Sequence, residues 1–138
     1  MKKDFIKELK WRGMLHDMIP GTEEHLEKNK TIGYIGFDPT SDSLHIGSLV
    51  PIFILKHFQN SGHTPIVLLG GATGMIGDPS GKSDERNLLD KKVLDYNEKK
   101  LPKQFEKFLD FNSKKSNKAI LVNNYNWMKK FSIIDFSR

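Results

Sequence analysis

The segment Thr31-Ile32-Gly33-Tyr34-Ile35-Gly36-Phe37 runs straight into Asp38-Pro39-Thr40-Ser41-Asp42-Ser43, and then into Leu44-His45-Ile46-Gly47-Ser48. Its first part is a compact apolar run punctuated by glycine, the pattern of a buried strand. Its middle is a loop of turn-forming residues. From about Ile46 to Asn60 apolar residues recur at helical spacing, and Gly62 closes that helix. Thr64 to Leu69, centred on Pro65-Ile66-Val67-Leu68, reads as a second buried strand. Strand, helix, strand in that order calls for an α/β fold built on a parallel sheet.

Outward from this unit the alternation continues. Gly70 to Lys82 forms a long glycine-rich loop, Leu88 to Leu109 a mostly helical stretch interrupted at Pro102, and Ala119-Ile120-Leu121-Val122 a third strand. Trp127 to Phe136 opens another helix. Upstream, Asp4 to Ile19 spaces Phe5, Ile6, Leu9, Met14, Leu15 and Met18 as one helix, which Pro20-Gly21 breaks. Thr22 is then the expected N-cap of a short second helix. The expected fold class is a Rossmann-like parallel sheet with flanking helices. It is expected to be incomplete: three strands are few for such a domain, and Arg138 falls inside a helical pattern with no cap or glycine to end it.

At 138 residues the chain has room for one sizeable core and not for two. No run approaches the roughly 18 apolar residues that cross a bilayer. The opening Met1-Lys2-Lys3-Asp4 is followed by charges where a signal peptide needs an apolar region. Cysteine is absent, which removes disulfides and thiolate chemistry, and the cytoplasm is the expected compartment. No metal-ligating cluster stands out, and no membrane partner is expected. The formal net charge of +5 favours polyanionic partners. Much of the basic excess lies between Lys91 and Lys130, interleaved with Asp and Glu, where a solvated helix face explains it more cheaply than a nucleic-acid groove.

Two segments carry the candidate chemistry. In open α/β sheets, ligands bind outside the carboxyl ends of the strands, which is where Gly36 to Ser48 belongs. The helix that follows offers free N–H groups and a partial positive charge suited to phosphate. His45 beside it is a donor for phosphate oxygens, and Gly47 lets a flat ring or a ribose approach the backbone. The plainer alternative is a helix start with an exposed histidine and a glycine chosen for packing.

The second segment, Gly70 to Arg86, nearly fits two phosphate-binding patterns and fails both. Gly71-Ala72-Thr73-Gly74-Met75-Ile76-Gly77 resembles a dinucleotide fingerprint, but Asp78-Pro79 blocks the helix that must receive the pyrophosphate. Gly77-Asp78-Pro79-Ser80-Gly81-Lys82-Ser83 is one residue short of a Walker loop. What remains is a loop of a length that is usually functional or disordered. Asp78 in it can hold an amine, and Lys82 and Arg86 can hold phosphates. Together the two segments fit an enzyme that displaces pyrophosphate from an α-phosphorus. Such chemistry asks for positioning and charge stabilisation more than for a nucleophile or a base.

From about Arg12 to Arg138 the chain resembles the bacterial-type tyrosyl-tRNA synthetases, class I aminoacyl-tRNA synthetases. The resemblance is carried by Tyr34 with Gly36 to Thr40, by His45-Ile46-Gly47-Ser48, by Gly70 through Arg86, and by Asn123-Asn124-Tyr125-Asn126-Trp127. The histidine signature is shared with other nucleotidyltransferases; the long match from Gly71 to Lys82 points to the tyrosine-specific branch. The resemblance implies a Tyr34 hydroxyl bonded to the phenol of bound tyrosine and an Asp78 carboxylate on its ammonium group, with Asn124 supporting that pocket. It implies that Thr40, His45, Lys82 and Arg86 stabilise the departing pyrophosphate, and that Gly36, Asp38, Gly47 and Ser48 line the ATP side. Phenylalanine would leave the pocket's polar groups unpaired and be refused.

By the same resemblance the substrates are tyrosine and ATP, the latter carrying Mg²⁺, and the partners of the whole protein are tRNA(Tyr) and a second subunit. Residues 1–138 would then be the N-terminal part of the catalytic domain. Ser48 departs from the family, which usually has a second histidine there; a serine hydroxyl can still bond a ribose. The family's second tyrosine-binding helix, its Lys-Met-Ser-Lys-Ser-type loop and its tRNA-binding domains have no counterpart in these residues, so the chain alone is expected not to complete the reaction. A small nucleotidyltransferase with the same signature is the enzymatic alternative, and Tyr34 with Asp78 speaks against it. The non-enzymatic alternative is an interaction module: a truncated synthetase domain that folds, or partly folds, and binds ligand weakly without turnover. Exposed apolar surface detected by dye binding would support it.

Overall fold

Consecutive parallel strands must be joined by crossovers, and successive right-handed crossovers that step the same way across a sheet lie on the same face. The computed structural model, which describes residues 4–76 and 90–138, follows this rule. Strands β1 (Ile32–Phe37), β2 (Thr64–Leu69) and β3 (Ile120–Asn123) run parallel in the order β1-β2-β3. The first crossover is a 3₁₀ turn, Ile46–Ser48, leading into α3 (Leu49–Asn60). The second carries α4 (Gly71–Ile76), α5 (Lys91–Lys100) and α6 (Pro102–Phe105). Ahead of β1 stand α1 (Phe5–Trp11) and α2 (Thr22–Lys28); after β3 come α7 (Tyr125–Met128) and α8 (Ile133–Ser137).

One face of the sheet holds the core. Phe37, Val67 and Leu69 meet Ile52 and Leu55 of α3, together with Leu101, Phe105 and Leu109. Phe105 is fully buried and sits edge-on to Phe37 at 4.8 Å between ring centroids. A smaller cluster of Ile6, Leu26 and Phe58 packs α1 and α2 against α3, with the Phe58 ring lying over Gly33 of β1.

The opposite face is bare among the described residues. β1 alternates, with Ile32 63% and Tyr34 69% exposed, and Ile120 of β3 is also exposed. The sequence reading of β1 as a buried strand is therefore corrected: its glycine-punctuated apolar run covers one face and leaves the other open. β2, the central strand, is buried or half-buried throughout, as expected.

Other boundaries shift for local reasons. The first helix ends at Trp11 and not near Ile19, because Gly13 takes φ 65° and the Met14 and Gly13 amides bond back to Leu9 and Lys10 in a Schellman stop. The same motif at Gly62 ends α3 where the sequence placed it. Gly21, not Thr22, is the N-cap of α2. Gly71 to Ile76 is helical where a loop was expected. Trp127 to Phe136 is not continuous helix: Ser132 caps a new one, its hydroxyl accepting from the Asp135 amide. Leu88 and the expected helix start there lie outside the described residues.

Phe105→Ala is expected to lower stability by about 3–5 kcal/mol, whereas Ile32→Ala changes it by no more than about 0.5 kcal/mol. Urea unfolding measures both, and equal losses would mean that the open face is covered in solution.

Candidate active site at the strand ends

The carboxyl ends of the three strands are tied together by side chains. At the end of β1, the Asp38 carboxylate accepts a hydrogen bond of 2.8 Å from the Thr73 hydroxyl on α4. Gly70, which links β2 to α4, makes this approach possible. A Cβ there would collide with Asp38 and stand 2.5 Å from the Thr73 hydroxyl oxygen. Asn124, after β3, accepts the Ala72 amide at 2.7 Å and so caps the start of α4 from another element. Its amide nitrogen reaches the Thr73 oxygen at 3.4 Å. This outside cap explains why a glycine-rich stretch is helical: Asn124 satisfies an amide that a six-residue helix otherwise leaves unpaired.

A second bond set lies beside the first. Asn123 donates to the Glu98 carboxylate of α5 at 2.7 Å and accepts the Tyr125 amide at 2.9 Å. A Cβ on Gly71 would clash with both the Asn123 amide and the Glu98 carboxylate. Burial holds the Glu98 carboxyl above its ordinary range; the Asn123 bond opposes this, and nearby Asp95 adds to it.

Tyr34 and Gly36 stand on the open face of β1, two residues apart, so both side-chain positions face the same way. A Cβ on Gly36 would meet nothing within 4 Å. Tyr34 is therefore not a core tyrosine among the described residues. His45 is exposed, and its Nδ1 accepts the Gly47 amide at 3.0 Å. That bond leaves the ring proton on Nε2, the remaining donor. A Cβ on Gly47 would lie 2.8 Å from the His45 ring, so glycine here serves the cap as well as any ligand. Thr40 is exposed and Ser48 half-buried.

The network thus brings Asp38 and Asn124 together through Thr73, while Tyr34 and Gly36 line the adjoining strand. Thr40, His45, Gly47 and Ser48 sit on the neighbouring loop. Asp78, Lys82 and Arg86 lie outside the described residues. Glu98 was missed from the sequence, and Thr73 and Asn123 were quoted there only within motifs, without these contacts. The signal for Asn123 was a polar residue at the end of an apolar strand.

The ends of parallel strands, a capped helix start and a histidine beside it define a class: the profile of the tRNA synthetases of class I (W and Y) matches residues 26–138, and the chain belongs to that family. It is 63% identical over 136 residues to the tyrosine–tRNA ligase of Flavobacterium psychrophilum, covering 99% of this chain and 32% of that protein. To the tyrosine–tRNA ligase of Bacteroides fragilis it is 61% identical over 135 residues, 98% of this chain and 31% of that one. The chain therefore spans about a third of the length of these curated relatives. Among solved structures, a C-terminally truncated mitochondrial tyrosyl-tRNA synthetase of Coccidioides posadasii superposes with a TM-score of 0.74 at 28% identity, covering 97% of this chain and 39% of that chain.

Gly70→Ala is expected to destabilise by about 1–3 kcal/mol through overpacking, and Thr73→Val by about 1 kcal/mol through its lost hydrogen bonds; chemical denaturation reads both. Glu98 also sets a pH dependence. Its carboxyl is raised in the folded state above the ordinary 4.5, so its proton is held more tightly folded than unfolded. Stability from this group is present at acidic pH and lost as pH climbs through the raised value. Glu98→Gln should remove this group's loss of melting temperature as pH rises above the ordinary 4.5; an unchanged slope would contradict the assignment.

Proposed function

We propose that the chain is the N-terminal part of the catalytic domain of a tyrosine–tRNA ligase. The carrying observation is the position of Tyr34 and Gly36: exposed, on the open face of an edge strand whose carboxyl end leads into Asp38. In doubly wound sheets the strand order reverses beside the first strand, and ligands bind in the crevice at that point. The edge of β1, which pairs only with β2 among the described residues, is the matching place here. Its exposure is what half of a crevice looks like before the elements from the rest of such a protein close over it.

In this reading the tyrosine phenol meets the Tyr34 hydroxyl, and its ammonium group meets Asp78. A tyrosine carboxylate oxygen attacks the α-phosphorus of ATP. A P–O bond forms, the bond to the bridging oxygen breaks, and pyrophosphate departs. Thr40 and His45 donate to the pyrophosphate, joined by Lys82 and Arg86 as charge builds. Asp38, with one oxygen held by Thr73, repels phosphate and suits a hydroxyl or an amine, so it belongs with the nucleoside. Gly36 and Gly47 leave room for the nucleotide and Ser48 offers a ribose contact. Asn124 supports the pocket by holding α4. In the second step a tRNA(Tyr) hydroxyl attacks the tyrosyl carbonyl and AMP leaves.

Mg²⁺ would arrive with ATP; among the described residues no group of three or more His, Asp or Glu is placed to hold it independently. A homodimer is part of the proposal. A groove of about 390 Å³ beside α7 and α8, lined by Met75, Ile76, Met128, Phe131 and Phe136, supports it as apolar surface needing cover. The cytoplasm is the proposed location; no helix among the described residues is long and apolar enough to cross a membrane.

The test is tyrosine-dependent exchange of labelled pyrophosphate into ATP, with the chain extended to the length of its relatives. Exchange is expected, falling roughly 10²-fold or more in His45→Ala and Asp78→Ala. Exchange that does not depend on tyrosine would overturn the assignment.

A further inference from the structure

The loop that bears Thr40 and His45 is held by amides from the second crossover. Asn97 lies on α5 in the apolar stripe of Leu94 and Leu101, where a polar residue needs a partner, and it is only 4% exposed. Its Nδ2 donates to the Pro39 carbonyl at 3.0 Å. About two turns further on, Gln104 of α6 uses both ends of its amide. Its Oε1 accepts the Leu44 amide at 2.9 Å, and its Nε2 donates to the Asp42 carbonyl at 2.9 Å.

These three bonds land on Pro39, Asp42 and Leu44. They flank Thr40 and stop one residue short of His45. The helices that supply them are fixed in turn, since Leu94, Leu101 and Phe105 are buried. Loops are ordinarily the movable parts of a site; this one is braced at three backbone atoms from a neighbouring rigid element, while Tyr34 on β1 is placed by the sheet and not by these amides.

We propose that Gln104, backed by Asn97, is a positioning residue for pyrophosphate release, setting the loop geometry of Thr40 and His45 without touching substrate. The proposal rests on the ligase reading above. It separates two parts of the site: loss of the brace should impair the step in which the α-phosphorus bond breaks and leave tyrosine binding alone.

The experiment uses the chain extended to full relative length, with Gln104→Ala, Gln104→Glu and Asn97→Leu. Gln104→Glu keeps the acceptor for Leu44 and sets a carboxylate against the Asp42 carbonyl and against the Lys100 carbonyl that Nε2 reaches at 3.4 Å. It thus removes the donor with the least change of shape. Exchange turnover should fall roughly tenfold or more, while the tyrosine dissociation constant from equilibrium dialysis stays within about twofold. Deuterium uptake should quicken in peptides covering 38–48 and not in those covering 64–69. Turnover equal to that of the unsubstituted protein, or turnover and tyrosine affinity falling together, overturns the proposal, as does unchanged uptake in 38–48. If the unsubstituted protein shows no exchange, the ligase reading fails, and uptake alone then decides whether the brace exists.

Discussion

The hydrogen bond from Thr73 to Asp38 joins the end of one strand to the helix that leaves its neighbour, and the geometry around it follows from that contact. It requires Gly70, since any side chain there would occupy the space the carboxylate needs. It draws the start of α4 close enough to β3 for Asn124 to cap it. A single such bond contributes about 1 kcal/mol net. Its consequence is larger than its energy, because it fixes where the loops after β1 and β2 begin. Those loops hold most of the residues assigned to substrate.

The sheet beneath has one covered face and one open face, and the asymmetry is topological. Crossovers that all step in one direction place α3, α5 and α6 on the same side. The opposite side shows Ile32, Tyr34 and Ile120 to solvent among the described residues. The chain spans about a third of the length of its relatives, and in the proposed reading this apolar face is surface that the rest of a ligase of that length covers. In the same reading the β1 edge, unpaired among the described residues, is the point where doubly wound sheets bind ligands.

Much of this was legible in the residues. Strand and helix order followed from hydrophobic periodicity, and β2 matched because a central strand is apolar throughout. β1 misled for a physical reason: Ile32, Tyr34 and Ile35 look equally buried in a list of residues, and what separates them is that the described residues cover one face of the sheet and not the other. The helix at Gly71 was invisible because its cap, Asn124, comes from after β3, and propensity counts only local partners. Gly47 was read as room for a ligand, yet the structure also gives it a local duty under the His45 ring. Asn97 and Gln104 went unnoticed within a helix read as a solvated charged face, although Asn97 is the polar break in its apolar stripe. The roles of Asp78, Lys82 and Arg86 rest on the resemblance, since they lie outside the described residues.

The central claim is that the strand ends, together with the open edge of β1, are half of a tyrosyl-adenylate site. A co-crystal of the full-length protein with a non-hydrolysable tyrosyl-adenylate mimic tests it most directly. The expected result is a tyrosyl ring against Tyr34, the nucleoside beside Gly36 and Asp38, and the Asp38–Thr73 bond intact. A mimic bound elsewhere, or a β1 edge paired with another strand so that Tyr34 is sealed away from it, would contradict the account.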